Sequence, residues 1–369
     1  MENENKRLGW LDATRGIGAI MVMVFHLWER HSEQKFIPYS IINTTIDFLI
    51  RGVYDFGKIG VVLFFAVSGF VIPYSLLRYK NGNITRFIIS RFFRLYPLYW
   101  ISIILAIIFV NDSFSAKQLI ANVTMFQGFL FIDNILGAYW TLQIELAFYI
   151  LCIFLFMFKF LHRDYVIILN IYGWTFLALA LGVIRYITKI EMPVALPLGL
   201  AVMFFGMAFR KYKLKEGNIN NKTIYIALVS FLILMVPTSI CAYSNYWYKY
   251  IITYTIALLS FILLSKSSNK EYIVLSFLGK ISYSVYLLHP IFALAVYDQL
   301  IKTEFGKITG SYFIIALAII CALMAGTIFY YTIEKPLVNV GRSFSKKIIN
   351  NYNKLYAERG VYKNQSKSL

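Results

Sequence analysis

Residues 57–77 read GKIGVVLFFAVSGFVIPYSLL, with Lys58 as the one charged side chain. Crossing the hydrocarbon core of a bilayer takes about 20 mainly apolar residues, so this stretch reads as a membrane span. Working outward, nine more runs of the same kind appear at 9–28, 95–110, 139–160, 165–184, 194–209, 223–242, 250–265, 280–297 and 311–333. The runs at 95–110 and 194–209 are short and are expected to extend into their flanks. Between them, 118–132 (QLIANVTMFQGFLFI) is apolar but repeatedly interrupted by polar residues. It is expected to be interfacial or re-entrant rather than a full crossing. The expected fold is all-α, a polytopic transmembrane helix bundle of about ten spans. Residues 1–337 form the membrane domain and 338–369 a short basic tail.

Composition agrees. Of 369 residues, 59% are hydrophobic and only 15% charged, against about 25% charged in a typical soluble domain. The net charge of +18 would suggest nucleic acid on a soluble surface, but its distribution points to topology, and no nucleic-acid partner is expected. With the N-terminus inside, the inside segments hold 25 Lys and Arg and the outside segments 10, with Arg15 within the first span. Positive charge gathers on the cytoplasmic side of membrane proteins, so both termini are expected to be cytoplasmic, with the tail near anionic lipid headgroups. The first span is interrupted by Arg15 and ends without a small-residue cleavage site, so it reads as retained. Cys152, Cys241 and Cys321 lie in apolar runs without metal-ligand spacing and read as small hydrophobes; no metal site is expected. Gly16, Gly69, Gly206 and Gly326 read as points of close helix approach.

Titratable side chains inside spans are costly and are functional candidates by default. Here they are Asp12, Arg15, His26, Glu145, His289 and, at a helix end, Glu334. Arg15 and His26 are eleven residues apart, which on a helix puts them on one face about 16 Å apart. Asp12, three residues before Arg15, can pair with it on that face. The resulting polar stripe suits a substrate path, although His26 could also be an interfacial histidine beside Trp28. Glu145 follows Trp140 at about the depth of His26, where a carboxylate would orient the imidazole and raise its basicity; a structural ion pair with another span is the alternative. His289 precedes Pro290, which frees a backbone carbonyl, so this histidine could simply bond within the bundle. Arg86, Arg91 and Arg94 form a basic cluster that either sets topology or gathers an anionic cytosolic ligand.

Six ordered stretches resemble the acyltransferase-3 family of integral membrane proteins. Leu11-Asp12-Ala13-Thr14-Arg15-Gly16, with His26 following after ten residues, is similar to its Arg-x10-His signature. FFAVSGFVI, with Ser68 and Gly69, resembles its FFxxSGF pattern, and Arg91-Phe92-Phe93-Arg94 its RxxR motif. Trp140 to Tyr149 resembles WxLxxExxFY, Ser282-Tyr283 to His289 resembles SYxxYLxH, and Glu334-Lys335-Pro336 resembles the ExP ending, with lysine where arginine is common. Ala13 and Thr14 replace a frequent glycine. No SGNH-type esterase domain follows in this sequence, and none is expected to be needed.

The resemblance implies an O-acyltransferase that moves an acetyl group from cytosolic acetyl-CoA, a donor substrate rather than a bound cofactor. The implied acceptor is a hydroxyl of an extracytoplasmic or lipid-linked glycan, such as a surface polysaccharide, exopolysaccharide or O-antigen of the cell envelope. It implies His26 as general base or acyl relay, with Arg15 and Glu145 also catalytic. Arg86, Arg91, Arg94 and Ser68 would bind the donor, since guanidinium forks match phosphate oxygens. Asp12, Trp140, Ser282, Tyr283, His289 and Glu334 would support them. The expected location is a bacterial cytoplasmic membrane. Two other classes compete. A transporter or flippase of a lipid-linked glycan would also carry sparse intramembrane charge, but no internal repeat is visible. A non-catalytic accessory protein would tolerate loss of His26.

Overall fold

A peptide chain surrounded by lipid has only itself to satisfy its N–H and C=O groups, so apolar runs of this length become helices. The structure, a computed structural model, describes residues 8–33, 41–77, 83–110, 113–266 and 272–358. Lys6, Arg7, Lys35, Arg78, Lys80, Lys270 and the basic end 359–369, which enter the orientation count, lie outside these residues. Among the described residues there are helices and no strand. The helices are α1 (Gly9–Ser32), α2 (Ile41–Asp47), α3 (Phe56–Leu77), α4 (Asn83–Phe109), α5 (Ala116–Thr124), α6 (Tyr139–Met157) and α7 (Asp164–Thr188). They continue as α8 (Ala195–Leu214), α9 (Asn221–Tyr243), α10 (Trp247–Lys266), α11 (Ile273–Leu300), α12 (Glu304–Thr309), α13 (Ser311–Phe329) and α14 (Lys335–Glu358).

Each of the ten expected spans falls on one of these helices. Eight stretches are long and apolar enough to cross a membrane, one of them, Asn221–Lys266, containing both α9 and α10. α8 is not among the eight, because its last turns carry Arg210, Lys211 and Lys213. It is nonetheless central, since every residue from Pro197 to Phe209 is buried. The protein is therefore an all-α integral membrane bundle.

α1 packs between α3 and α11, α3 in turn meets α8, and α7 lies against α8 and α9. Small residues permit these contacts. A methyl group on Gly16 would come within 2.6 Å of the Leu275 carbonyl on α11. Gly69 and Gly206 let α3 and α8 bring backbone onto backbone, against Met203 and Ala66 respectively. Gly326 makes room for Val285. With no hydrophobic drive between helices in lipid, such close approach supplies the dispersion contact that holds them.

The segment expected to be interfacial or re-entrant is built from α5 and a 3₁₀ turn, Gln127–Leu130. Its irregular backbone is satisfied by buried amides. Asn122 Nδ2 donates to Asp133 O at 3.0 Å, Ile135 N to Asn122 Oδ1 at 3.0 Å, and Gly128 N to Gln143 Oε1 at 2.8 Å. Tyr99 Oη and Trp100 Nε1 of α4 donate to the carbonyls of Asn122 and Val123. This is how non-helical backbone becomes tolerable next to lipid.

The stretch expected as a tail differs from a bare tail over its described part. It continues α13 through a π-helical turn, Tyr330–Glu334, into α14, which packs on α4. Gly341, Ser345 and Ile349, spaced by four, form the buried face, and Phe344 meets Phe93 at a ring separation of 6.4 Å.

Candidate active site

Two cavities follow one another along the polar face of α1. The first, of about 70 Å³, is lined by Arg15, Ser68, Arg91, Arg94, Glu145 and Ser282, together with Thr141, Tyr283 and Tyr286. The second, of about 330 Å³, is lined by His26, Asp55, Lys58, Trp140, Arg185 and Tyr243, among others. Val61 and Tyr286 border both. The eleven-residue spacing of Arg15 and His26 thus sets one residue in each of two adjoining cavities. The first has room for a thin chain, while the second falls within the range of small-ligand clefts, roughly 300–1,000 Å³.

Charge in the first cavity is predominantly positive. Arg15 interacts with Asp12 and Glu145 as counter-charges and with Arg91 and Arg94 as like charges. Asp12 itself is buried on α1. The Arg91 guanidinium lies 5.4 Å from the Phe87 and Tyr149 rings and donates to Ser75 Oγ at 3.2 Å. Its buried Nε has no hydrogen-bond partner among the described residues. Arg94 is ion-paired with Glu334, whose second oxygen accepts from Ser284 Oγ at 2.5 Å. Glu334 reaches this position from the π-helical turn just before Pro336; an extra residue in the turn re-aims the side chain. Arg94 also stands 5.3 Å from the Tyr283 ring, and Tyr283 Oη donates to the Leu95 carbonyl at 2.6 Å. Ser282 Oγ donates to Gly279 O, and Ser68 lies buried at the wall. Arg86, two turns earlier on α4, lines neither cavity. An arrangement of fixed guanidinium groups with spare donors suits phosphate or carboxylate oxygens.

His26, at the wall of the second cavity, is paired with the buried His289 behind it. Pro290 has no N–H, so the carbonyl four residues before it, Tyr286 O, loses its helical donor. His289 Nδ1 supplies one at 2.7 Å. A carbonyl only accepts, so His289 carries its proton on Nδ1, and its Nε2 is the acceptor in the neutral ring. That Nε2 lies 2.9 Å from His26 Nδ1. His26 Nδ1 is therefore the donor, and the lone pair of a neutral His26 sits on Nε2. The ring planes are within 9° of parallel and their centroids are 5.1 Å apart, the edge-to-edge arrangement this bond needs. This tautomer is assigned from the network, and it presents a basic nitrogen from a ring bordering the second cavity.

Glu145 does not take the place expected beside His26. It accepts from the Tyr149 hydroxyl, one turn away on α6, and borders the arginine cavity. The shared depth of Glu145 and His26 said nothing about which direction each faced. His289 carries the orienting contact instead, so its bonding within the bundle and its contact with His26 coexist. Trp140 lines the second cavity and packs edge-on to Phe65. Sequence reasoning also passed over Tyr286, at the junction of the cavities, whose hydroxyl lies 2.7 Å from Thr141 Oγ1. Tyr149 was legible in principle, since it stands four residues after Glu145.

A family model described as "Acyltransferase domain" (Acyl_transf_3) matches residues 8–332. A curated protein of Acidianus two-tailed virus, named "Putative acetyltransferase ORF330", is 24% identical over 292 residues, covering 74% of this chain and 80% of its own length. No solved structure matches.

Proposed function

Since the chain belongs to the acyltransferase-3 family and is an acyltransferase, we propose that it moves an acetyl group from cytosolic acetyl-CoA to a hydroxyl of an extracytoplasmic or lipid-linked glycan, across a bacterial cytoplasmic membrane. The observation that carries this reading is the His26–His289–Tyr286 chain, which leaves His26 Nε2 unprotonated beside the larger cavity. A sugar hydroxyl is a poor nucleophile at neutral pH, and a positioned base contributes about 10²–10⁴ in rate.

In this mechanism the phosphates of the donor lie against Arg91, Arg94 and Arg15, and its acyl arm runs along the narrow cavity past Tyr286. His26 Nε2 accepts the acceptor's hydroxyl proton as the oxygen attacks the thioester carbonyl. The tetrahedral intermediate collapses, the C–S bond breaks, and the imidazolium returns its proton to the departing thiolate. His289 holds the ring and accepts from Nδ1–H throughout, so the charge that develops on His26 is shared with a fixed acceptor. His26 and His289 are thus a base and its positioning residue.

The test compares wild type with His26→Ala at equal membrane levels, with a monodisperse profile in detergent as the check on folding. Ester-linked acetate on the surface glycan is expected to disappear in the variant. Acetate retained at the wild-type level would overturn the mechanism.

A further inference from the structure

The second cavity opens onto a rim that acyl transfer itself does not use. Of the ten Lys and Arg residues assigned to the outer face, five, namely Arg51, Lys58, Arg185, Lys189 and Lys249, line this cavity or two clefts that adjoin it. Arg185 and Tyr243 border the cavity and one cleft, and Asp55 borders the cavity and the other. Positive charge on a translocated face runs against the bias of membrane insertion, so its concentration here has a local cause.

The carboxylates of the rim are already engaged. Asp47 accepts from Trp28 Nε1 and Ser32 Oγ, each at 3.1 Å, and lies 3.7 Å from Arg51 Nη1. Asp55 Oδ1 accepts the Lys58 backbone N–H at 2.7 Å, capping the start of α3, and its Oδ2 lies 3.9 Å from Lys58 Nζ, a long pair that leaves the ammonium room for a second anion. Arg185 has Glu191 at 3.7 Å, but that side chain is 92% exposed, and such pairs contribute little. Lys58 Nζ lies 4.1 Å from the Tyr250 ring, which stacks on Tyr243 at 3.5 Å. Lys189 Nζ stands 4.5 Å from the Tyr186 ring. Cations set among tyrosines combine an anion site with flat apolar faces on which a sugar ring can rest.

We infer that the acceptor is an acidic glycan, with a carboxylate or phosphate on or beside the sugar that meets His26, held by Lys58, Arg185 and Lys189. This rests on the acyl-transfer reading above and names its substrate class. Anchoring the acid fixes which hydroxyl reaches Nε2, an orientational contribution that uniform binding of a neutral sugar would not supply.

Binding of trigalacturonate and of neutral maltotriose to the full-length protein in neutral detergent, measured by titration calorimetry, tests it. The acidic trimer is expected to bind about tenfold tighter at low salt, with the difference collapsing between about 50 and 500 mM NaCl as screening tightens. Arg185→Gln combined with Lys189→Gln is expected to abolish the preference; if that variant does not fold, the salt series on wild type decides. Equal affinities, a salt-independent difference, or no binding of either trimer overturns the inference. Repeating the titration in phosphatidylcholine nanodiscs with and without phosphatidylglycerol separates the sources of anion. Loss of the preference with phosphatidylglycerol would identify a lipid-headgroup site and also overturn it. Failure here with acetate transfer still dependent on His26 removes only the acidic acceptor. A preserved preference with transfer independent of His26 removes the proposed mechanism and leaves an acidic-glycan site.

Discussion

Replacing His289 by Phe removes the acceptor for His26 Nδ1–H while keeping a ring of similar size. The bonds lost are the 2.9 Å contact between the two imidazoles, which bears on His26, and the 2.7 Å bond from His289 Nδ1 to Tyr286 O, which bears on the helix. A neutral hydrogen bond contributes about 0.5–1.5 kcal/mol net, and a buried donor left without a partner costs about 1–3 kcal/mol. Part of this is relieved by rotation of the His26 ring, and that same relief turns Nε2 away from the hydroxyl. The expected fall in kcat is therefore about 10- to 100-fold, since about 1.4 kcal/mol is a factor of ten. Loss of the base itself in His26→Ala is expected to cost about 10²–10⁴-fold. The double variant should be no slower than His26→Ala alone, because a positioning residue has nothing left to position. His289→Gln, whose amide oxygen can accept the same bond, should recover part of the rate. The assay is acetyl-CoA turnover by membranes normalised to folded protein. Additive losses in the double variant, or a His289→Phe enzyme as fast as wild type, would refute the coupling.

Other outcomes follow from the arginine cavity and the helix contacts. Arg91→Ala should raise KM for acetyl-CoA by about tenfold or more with a smaller change in kcat, since a charged hydrogen bond is worth about 1.5–3 kcal/mol; Arg91→Lys should recover little, lacking the planar fork. An unchanged KM in initial-rate measurements would remove Arg91 from the donor site. Glu334→Ala leaves Arg94 without its buried partner and Ser284 without its acceptor, and should destabilise the protein by about 3–5 kcal/mol, read as a lowered Tm in detergent. Gly206→Val drives a side chain into the Ala66 backbone on α3; overpacking costs about 1–3 kcal/mol where neighbours can shift and more against backbone. The yield of monodisperse protein should fall sharply, and a normal yield would contradict the close crossing.

Several features were legible in the sequence because they are local. Twenty apolar residues dictate a lipid-facing helix whatever surrounds them, and eleven residues on one helix put Arg15 and His26 on one face. Pro290 frees the Tyr286 carbonyl by its own chemistry, four residues away. Other features depend on which faces meet, and helical period is silent on that. His26 and His289 are 263 positions apart, joined because α1 and α11 cross closely at Gly16. Glu145, matched to His26 by depth, turned to Tyr149 and the arginines, since depth fixes height in the bundle but not azimuth. Arg94 found Glu334 across 240 positions through a π-helical turn that no periodicity announces. The sequence by itself determined the solvent, the helical runs and the face of α1 that bears Arg15 and His26. The packing of small residues between helices decided which titratable groups became partners, because contact in a bundle is set by crossing points and not by order along the chain.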